Sequence, residues 1–289
     1  MEHRAREAGT APVRFAHAPT RTVAVAGAEL VYRELGDGRG VPLVGLTHLG
    51  ANLDSWDPEV VDPLAAGRRV ILLGYRGVGA STGTARDRFE DMATDAVAAI
   101  RALGLSRVDL LGLSMGGMVA QEVLRLDADL VDRIVLAGAG PHGGPGLTRM
   151  TGVFLGGVAR GLATLTPPTT LLFFTRTRHG RRAAKAYQER LKRRRTGRDQ
   201  PVTPAVLRAQ LRAVKRWGRL QPPGGPSEPA MPVLVLHGDS DRMVPPGNAD
   251  ALLQRFPGAQ VRVFPDSGHG VVPQNRQAAT ELVGRFLHR

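Results

Sequence analysis

Residues Val108–Gly117 read Val-Asp-Leu-Leu-Gly-Leu-Ser-Met-Gly-Gly, a G-x-S-x-G set at a change of sequence period. Val108, Leu110, Leu111 and Leu113 form an apolar run of strand length, and Met118-Val119-Ala120-Gln121-Glu122-Val123-Leu124 reads as a helix. Between them the glycines have a steric purpose. A strand that turns directly into a helix brings backbones so close that side chains at Gly112 and Gly116 would collide. Ser114 is then expected at the tip of the turn with its hydroxyl exposed. The following helix N-terminus lies behind it and favours a negative oxygen. An ordinary Gly/Ser turn shares the pentapeptide but needs neither flank.

Working outward, Thr22–Ala26 and Glu29–Glu34 predict an antiparallel hairpin. Val41–Thr47, Arg69–Gly74, Val131–Gly138, Met231–His237 and Gln260–Phe264 predict further strands. Helices are expected over Ser55–Ala66, Asp87–Leu103, Asn248–Phe256 and Gln274–His288. Strands that alternate with helices predict an α/β fold with a mostly parallel sheet covered on both faces. Pro141–Ala230 breaks this alternation with helical stretches only, over Leu147–Thr166, Thr169–Thr175, Arg182–Arg195 and Thr203–Leu220. It reads as a helical cap over residues 141–230, inserted between the sixth and seventh strands and lying over the strand ends as a lid. The core is then 21–140 and 231–289, and residues 1–20 read as a polar, frayed tail.

The 289 residues are 42% hydrophobic, enough for a full core, and contain no cysteine, which excludes disulfides and thiolate chemistry. Residues 1–20 lack the apolar stretch of a signal peptide, and no run is long enough to span a bilayer. A cytoplasmic protein without a membrane partner is expected. The net charge of +13 is localised. Residues 141–230 hold 18 Arg/Lys against 3 Asp/Glu, a net of +15, so the rest is nearly neutral. The run Arg181–Arg198 holds a single aromatic, Tyr187, and no interleaved series of the kind that stacks bases, so a solvated basic face is expected rather than a nucleic-acid partner.

A serine hydroxyl needs a base, and the base needs an orienting carboxylate. Of eight histidines, His269 lies in Asp266-Ser267-Gly268-His269-Gly270, just past the last strand, on the edge where active sites of such sheets collect. The loop Gly238-Asp239-Ser240-Asp241 follows the preceding strand and offers two acids. Asp241 is the expected partner because it lies further past the strand end. Asp239 is the alternative, expected instead to bond its own loop.

With Gly-Leu-Ser-Met-Gly-Gly, Gly-Asp-Ser-Asp-Arg-Met-Val-Pro and Ser-Gly-His-Gly in this order, the chain resembles the α/β-hydrolase superfamily from about residue 21 to its end. Within that superfamily it is most similar to lidded serine hydrolases of the esterase, enol-lactonase and cofactor-free haloperoxidase (perhydrolase) type. The resemblance implies an α/β-hydrolase fold, catalysis by Ser114, His269 and Asp241, and no metal or organic cofactor. It also implies an oxyanion hole built from the amide of Met115 and a second amide from the loop after Val41–Thr47. Alignment on Pro42 and Trp56 makes Leu49 that second donor; alignment on His48 makes it Gly50. His48 stands where relatives carry glycine, and it is expected either to hydrogen-bond at the site or to cap its loop. Gly74 stands where they carry aspartate. His48 and Trp217 are the expected substrate contacts. A small, moderately apolar ester or lactone is the expected substrate, with a homodimer allowed. The alternatives are peroxide-dependent perhydrolysis on the same residues and a non-catalytic small-molecule binder. Serine at the turn argues against haloalkane dehalogenase and epoxide hydrolase chemistry, which use aspartate there.

Overall fold

The computed structural model describes residues 13–38, 40–221 and 231–288. The chain runs β1 (Thr20–Val25), β2 (Ala28–Leu35), β3 (Leu43–Leu46), α1 (Pro58–Ala65), β4 (Val70–Leu73), α2 (Phe89–Ala102), β5 (Val108–Leu113), α3 (Met115–Leu126) and β6 (Val131–Ala137). There follow α4 (Met150–Thr164), α5 (Pro168–Phe173), α6 (Arg178–Leu191) and α7 (Pro204–Trp217). The chain ends with β7 (Val233–Gly238), α8 (Gly247–Arg255), β8 (Gln260–Phe264), α9 (Val271–Gln274) and α10 (Arg276–Leu287).

The strands form one eight-stranded sheet in the order β1-β2-β4-β3-β5-β6-β7-β8. Pairing is antiparallel for β1–β2 and β2–β4 and parallel from β4 to β8. The continuous apolar runs are those of strands buried on both faces. Val44, Leu46, Ile71, Leu73, Leu110 and Ile134 pack with α2 and α3 on one face. Leu43, Val70, Leu72, Leu111 and Val135 pack with α1 and α10 on the other.

The turn after β5 is as tight as the sequence demands. A Cβ on Gly116 would lie 2.0 Å from the Leu46 carbonyl oxygen, and one on Gly112 would lie 2.4 Å from the Gly117 Cα. Those neighbours are backbone and have nowhere to move. Ser114 itself takes a left-handed φ of +53°, a conformation unfavourable for a residue with a Cβ.

Three expectations need correction. The first concerns the tail, of which residues 1–12 lie outside the described residues; residues 13–20 are not frayed. Phe15 is buried, its amide donates to Asp62 Oδ1 at 2.7 Å, its carbonyl accepts from Arg194 Nη1 at 2.8 Å, and Thr20 opens β1. The second concerns the helix expected from Ser55, which begins at Pro58. Asp57 accepts from the Glu59 amide as its N-cap, and a proline at the first helical position needs no amide partner. The third concerns the final helix, which starts at Arg276 rather than Gln274 and is preceded by a separate short helix, α9, that was not expected.

The basic segment is also more than a solvated face. Buried Arg190 grips Asp57 through Nε at 2.9 Å and Nη2 at 2.7 Å, and Arg198 Nε reaches Asp54 at 3.2 Å. Arg212 and Arg216 pair with Asp87 at 3.1 and 2.8 Å. Several arginines therefore tie α6, α7 and the loop between them to the rest of the chain. No helix among the described residues is long and apolar enough to cross a membrane.

Gly116→Ala is expected to cost at least about 2 kcal/mol, because the added methyl meets unyielding backbone. Gly152→Ala, on α4 with open space around its Cβ position, is expected to stabilise by up to about 1 kcal/mol. Urea denaturation of the two variants checks both signs.

Candidate active site

The serine, imidazole and carboxylate expected to meet do so. Ser114 ends β5, Asp241 follows β7 and His269 follows β8, all at the carboxyl edge of the sheet. His269 Nε2 lies 2.8 Å from Ser114 Oγ, and His269 Nδ1 lies 2.7 Å from Asp241 Oδ2. All three residues are buried. The remaining carboxylate oxygen, Asp241 Oδ1, accepts the Met243 and Val244 amides at 2.8 and 2.9 Å, which fixes the plane of the carboxylate. Asp239 does not bond its own loop's backbone, as was expected of it, but reaches across to the histidine loop. It accepts from the Ser267 and Asp266 amides and so holds the histidine loop to the acid loop.

A carboxylate on Nδ1 leaves Nε2 to accept the serine proton, which is the arrangement that activates a hydroxyl. Such chemistry also needs donors where negative charge develops. The Met115 amide opens α3 and has no hydrogen-bond partner among the described residues, and neither does the Leu49 amide. The Gly50 amide is engaged, donating to Gln210 Oε1 of α7 at 2.8 Å. Of the two alternatives for the second donor, Leu49 is thus the one with a free N–H. Among the described residues no group of three or more His, Cys, Asp or Glu is arranged to hold a metal ion.

His48 lines the cleft at Ser114, which is otherwise walled by Trp56, Leu113, Phe173, Tyr187 and Val272 among others. Its Nδ1 donates to the Leu49 carbonyl at 3.0 Å, so the ring both braces the loop and leaves Nε2 as an acceptor. That Nε2 is buried without a partner, as is Trp56 Nε1 in the same wall. Burial above all, and then the nearby His269, lowers the His48 pKa to about 4, against the pull of its bond to Leu49. His48 is therefore neutral at pH 7.

Trp217 is not at the cleft. It is 2% exposed, donates Nε1 to the Gly140 carbonyl at 3.1 Å and packs edge-on against Phe89 and His142. The apolar stripe of α7 turns inward to seat the helix, and its largest side chain becomes an anchor rather than a substrate contact. The aromatic that does reach the site is Phe173, at the end of α5. Its ring stands edge-on to both His48 and His269, with centroids 4.8 and 5.4 Å away. Gln274 was also not foreseen. Its Oε1 accepts from the Gly268 amide at 3.0 Å and its Nε2 donates to Thr175 Oγ1 at 3.1 Å, clasping the histidine loop to the end of α5. Gly268 lets that clasp close, since a Cβ there would lie 2.5 Å from the Phe173 carbonyl oxygen. Nothing in the local sequence around Phe173 or Gln274 marks them, because their roles depend on segments about a hundred residues apart.

Residues 42–275 match the family model described as the alpha/beta hydrolase fold. The chain belongs to the α/β-hydrolase family. A solved alpha/beta hydrolase fold protein from Chitinophaga pinensis superposes with a TM-score of 0.89 at 32% identity, covering 95% of this chain and 99% of that one. A pimeloyl-[acyl-carrier protein] methyl ester esterase from Nitrosomonas europaea is 30% identical over 80% of this chain and 90% of its own. The "Putative non-heme bromoperoxidase BpoC" of Mycobacterium tuberculosis is 34% identical over 101 residues, a match spanning 35% of this chain and only 38% of that relative.

The low pKa of His48 makes folding pH-dependent. The unfolded chain binds that proton near 6.5 and the folded chain only near 4, so the contribution is complete above pH 6.5 and is lost as pH falls towards 4. Between pH 7 and 5 this amounts to roughly 2 kcal/mol. Urea denaturation at the two pH values is expected to show a correspondingly flatter dependence in His48→Phe than in the wild type.

Proposed function

We propose that the protein is a serine hydrolase that cleaves a carboxylic ester or lactone of a small, moderately apolar molecule through an acyl-enzyme. The observation that carries this reading is the unbroken hydrogen-bonded line from Ser114 Oγ through the His269 ring to Asp241. His269 takes the serine proton as Oγ attacks the carbonyl carbon. The carbonyl oxygen, now negative, receives the Met115 and Leu49 amides, with the N-terminus of α3 behind them. Asp241 keeps Nδ1 protonated and stabilises the imidazolium. His269 then gives its proton to the leaving alcohol. Water, deprotonated by the same ring, releases the acid and restores Ser114.

Helices α4–α7 act in this reading as the lid that shapes the pocket and excludes water, with Phe173 as its contact to the reacting groups. His48 Nε2 offers the substrate a neutral acceptor in a largely apolar wall, which favours an ester or lactone bearing a hydroxyl or N–H near the scissile bond. Trp56 Nε1 offers a donor. Peroxide-dependent perhydrolysis is a second reading, favoured by the local similarity to the bromoperoxidase. It uses the same acyl-enzyme, with hydrogen peroxide in place of water.

Ser114→Ala is expected to lose p-nitrophenyl ester hydrolysis by roughly 10⁶-fold and to lose labelling by a fluorophosphonate. Asp241→Asn is expected to lower kcat by roughly 10⁴-fold through the wrong tautomer of His269. Wild-type protein that neither labels nor hydrolyses any of a panel of p-nitrophenyl esters and lactones is a binder, not an enzyme. Formation of peracid on adding peroxide and a carboxylic acid identifies the second reading.

A further inference from the structure

Helix α4 carries one charged residue, Arg160, in its fifteen positions. Its outward stripe is Gly152, Leu155, Ala159 and Leu162, continued by Leu165 at the C-cap, all exposed at helical spacing. Leu155 is 53% exposed, Leu162 75% and Leu165 94%. Leu165 also holds a left-handed φ of +51°, where glycine is the usual occupant. A large apolar side chain is thus kept in an unfavourable backbone conformation and turned almost wholly outward. A run of exposed leucines on this scale marks an interaction surface.

The edge of the same helix adds charge. Arg160 of α4, Arg176 after α5 and Arg242 beside the acid loop line one cleft with Val153, Gly156 and Leu171. None of the three pairs with a carboxylate among the described residues; Arg242 Nη2 spends one donor on the Leu171 carbonyl. Burial and then the like charges of Arg176 and Arg160 lower the proton affinity of Arg242, against the pull of Asp241. The segment that contains α4 is also the one with a net charge of +15.

We propose that α4 docks this protein on an anionic lipid surface, with Leu155, Leu162 and Leu165 in the acyl boundary and Arg160, Arg176 and Arg242 against lipid phosphates. An apolar helix face with a basic fringe is the pattern of an in-plane membrane anchor. A second copy of the chain fits less well, because a two-fold contact through this patch sets the same three arginines against their own copies. The expectation of no membrane partner rested on the lack of a spanning segment, and surface docking needs none. Docking places α5, whose Phe173 touches the His48 and His269 rings, next to the bilayer. It stands apart from the catalytic reading, since a lipid-docked receptor would show the same surface.

Full-length protein is tested by flotation with vesicles of phosphatidylcholine alone and of phosphatidylcholine mixed with phosphatidylglycerol. Binding is expected only to the mixed vesicles, and it weakens as salt is raised. The triple variant R160Q/R176Q/R242Q is expected to bind roughly 100-fold less tightly. Leu162→Asp and Leu165→Asp, at exposed positions with folding checked by circular dichroism, are expected to lose binding while keeping all three arginines. The proposal is overturned if wild type ignores the mixed vesicles or if the leucine variants float as it does. It is equally overturned if wild type sediments as a dimer that Leu162→Asp converts to monomer, which assigns the face to a second copy.

Discussion

The contact on which the rest of the site depends has no side chains in it. At Gly116 the first turn of α3 lies against the carbonyls of Leu46 and Thr47 at the end of β3, at a distance no Cβ tolerates. That approach joins the two central elements of the sheet edge. It holds the Met115 amide and the loop carrying the Leu49 amide on one side of Ser114. It also lifts Ser114 into a strained φ from which its hydroxyl reaches outward to His269. The strain is carried by the parallel packing of β3, β5 and β6, whose apolar residues are buried on both faces.

The imidazole is positioned from a different direction. His269 stands on a loop that is bonded on one side to Asp239 and on the other to Gln274 and the end of α5. The helices between β6 and β7 therefore reach the site itself. Through Phe173 and Gln274 they help set the histidine loop, and through Gln210 they occupy the Gly50 amide. The insertion is itself held by buried charge, above all Arg190 on Asp57. Removing one partner of such a pair leaves an uncompensated buried ion, which makes these anchors costly to disturb. Charge in this segment includes arginines that pair with Asp54, Asp57, Glu59 and Asp87, and Arg160 and Arg176 beside α4, which pair with no carboxylate among the described residues.

The two unusual polar groups in the cleft share one setting. His48 and Trp56 belong to a wall built mainly of apolar side chains, and His48 Nε2 and Trp56 Nε1 are both buried there without a partner. For His48 the bond from Nδ1 to the Leu49 carbonyl fixes the tautomer, and burial keeps the ring neutral. A group that braces the loop of one amide donor and also presents an acceptor to the cleft links loop geometry to what the cleft selects.

Sequence alone determined what depends on local sterics and period. The turn at Gly112–Gly116, the parallel strands with their flanking helices, and the order Ser114, Asp241, His269 were all legible, because close backbone approach demands glycine and buried strands demand apolar runs. The assignment of Asp241 over Asp239 followed from position along the loop. What only the tertiary structure decided were contacts between segments far apart in the chain. Gln210 settling on Gly50, Phe173 rather than Trp217 reaching the reacting groups, Phe15 packing where a frayed tail was expected, and the arginines that turned out to be anchors all depend on how α5, α6 and α7 rotate as they seat. A helix stripe in sequence gives which residues share a face, but not which neighbour that face will meet, and that choice is made by packing and charge only once the sheet is in place.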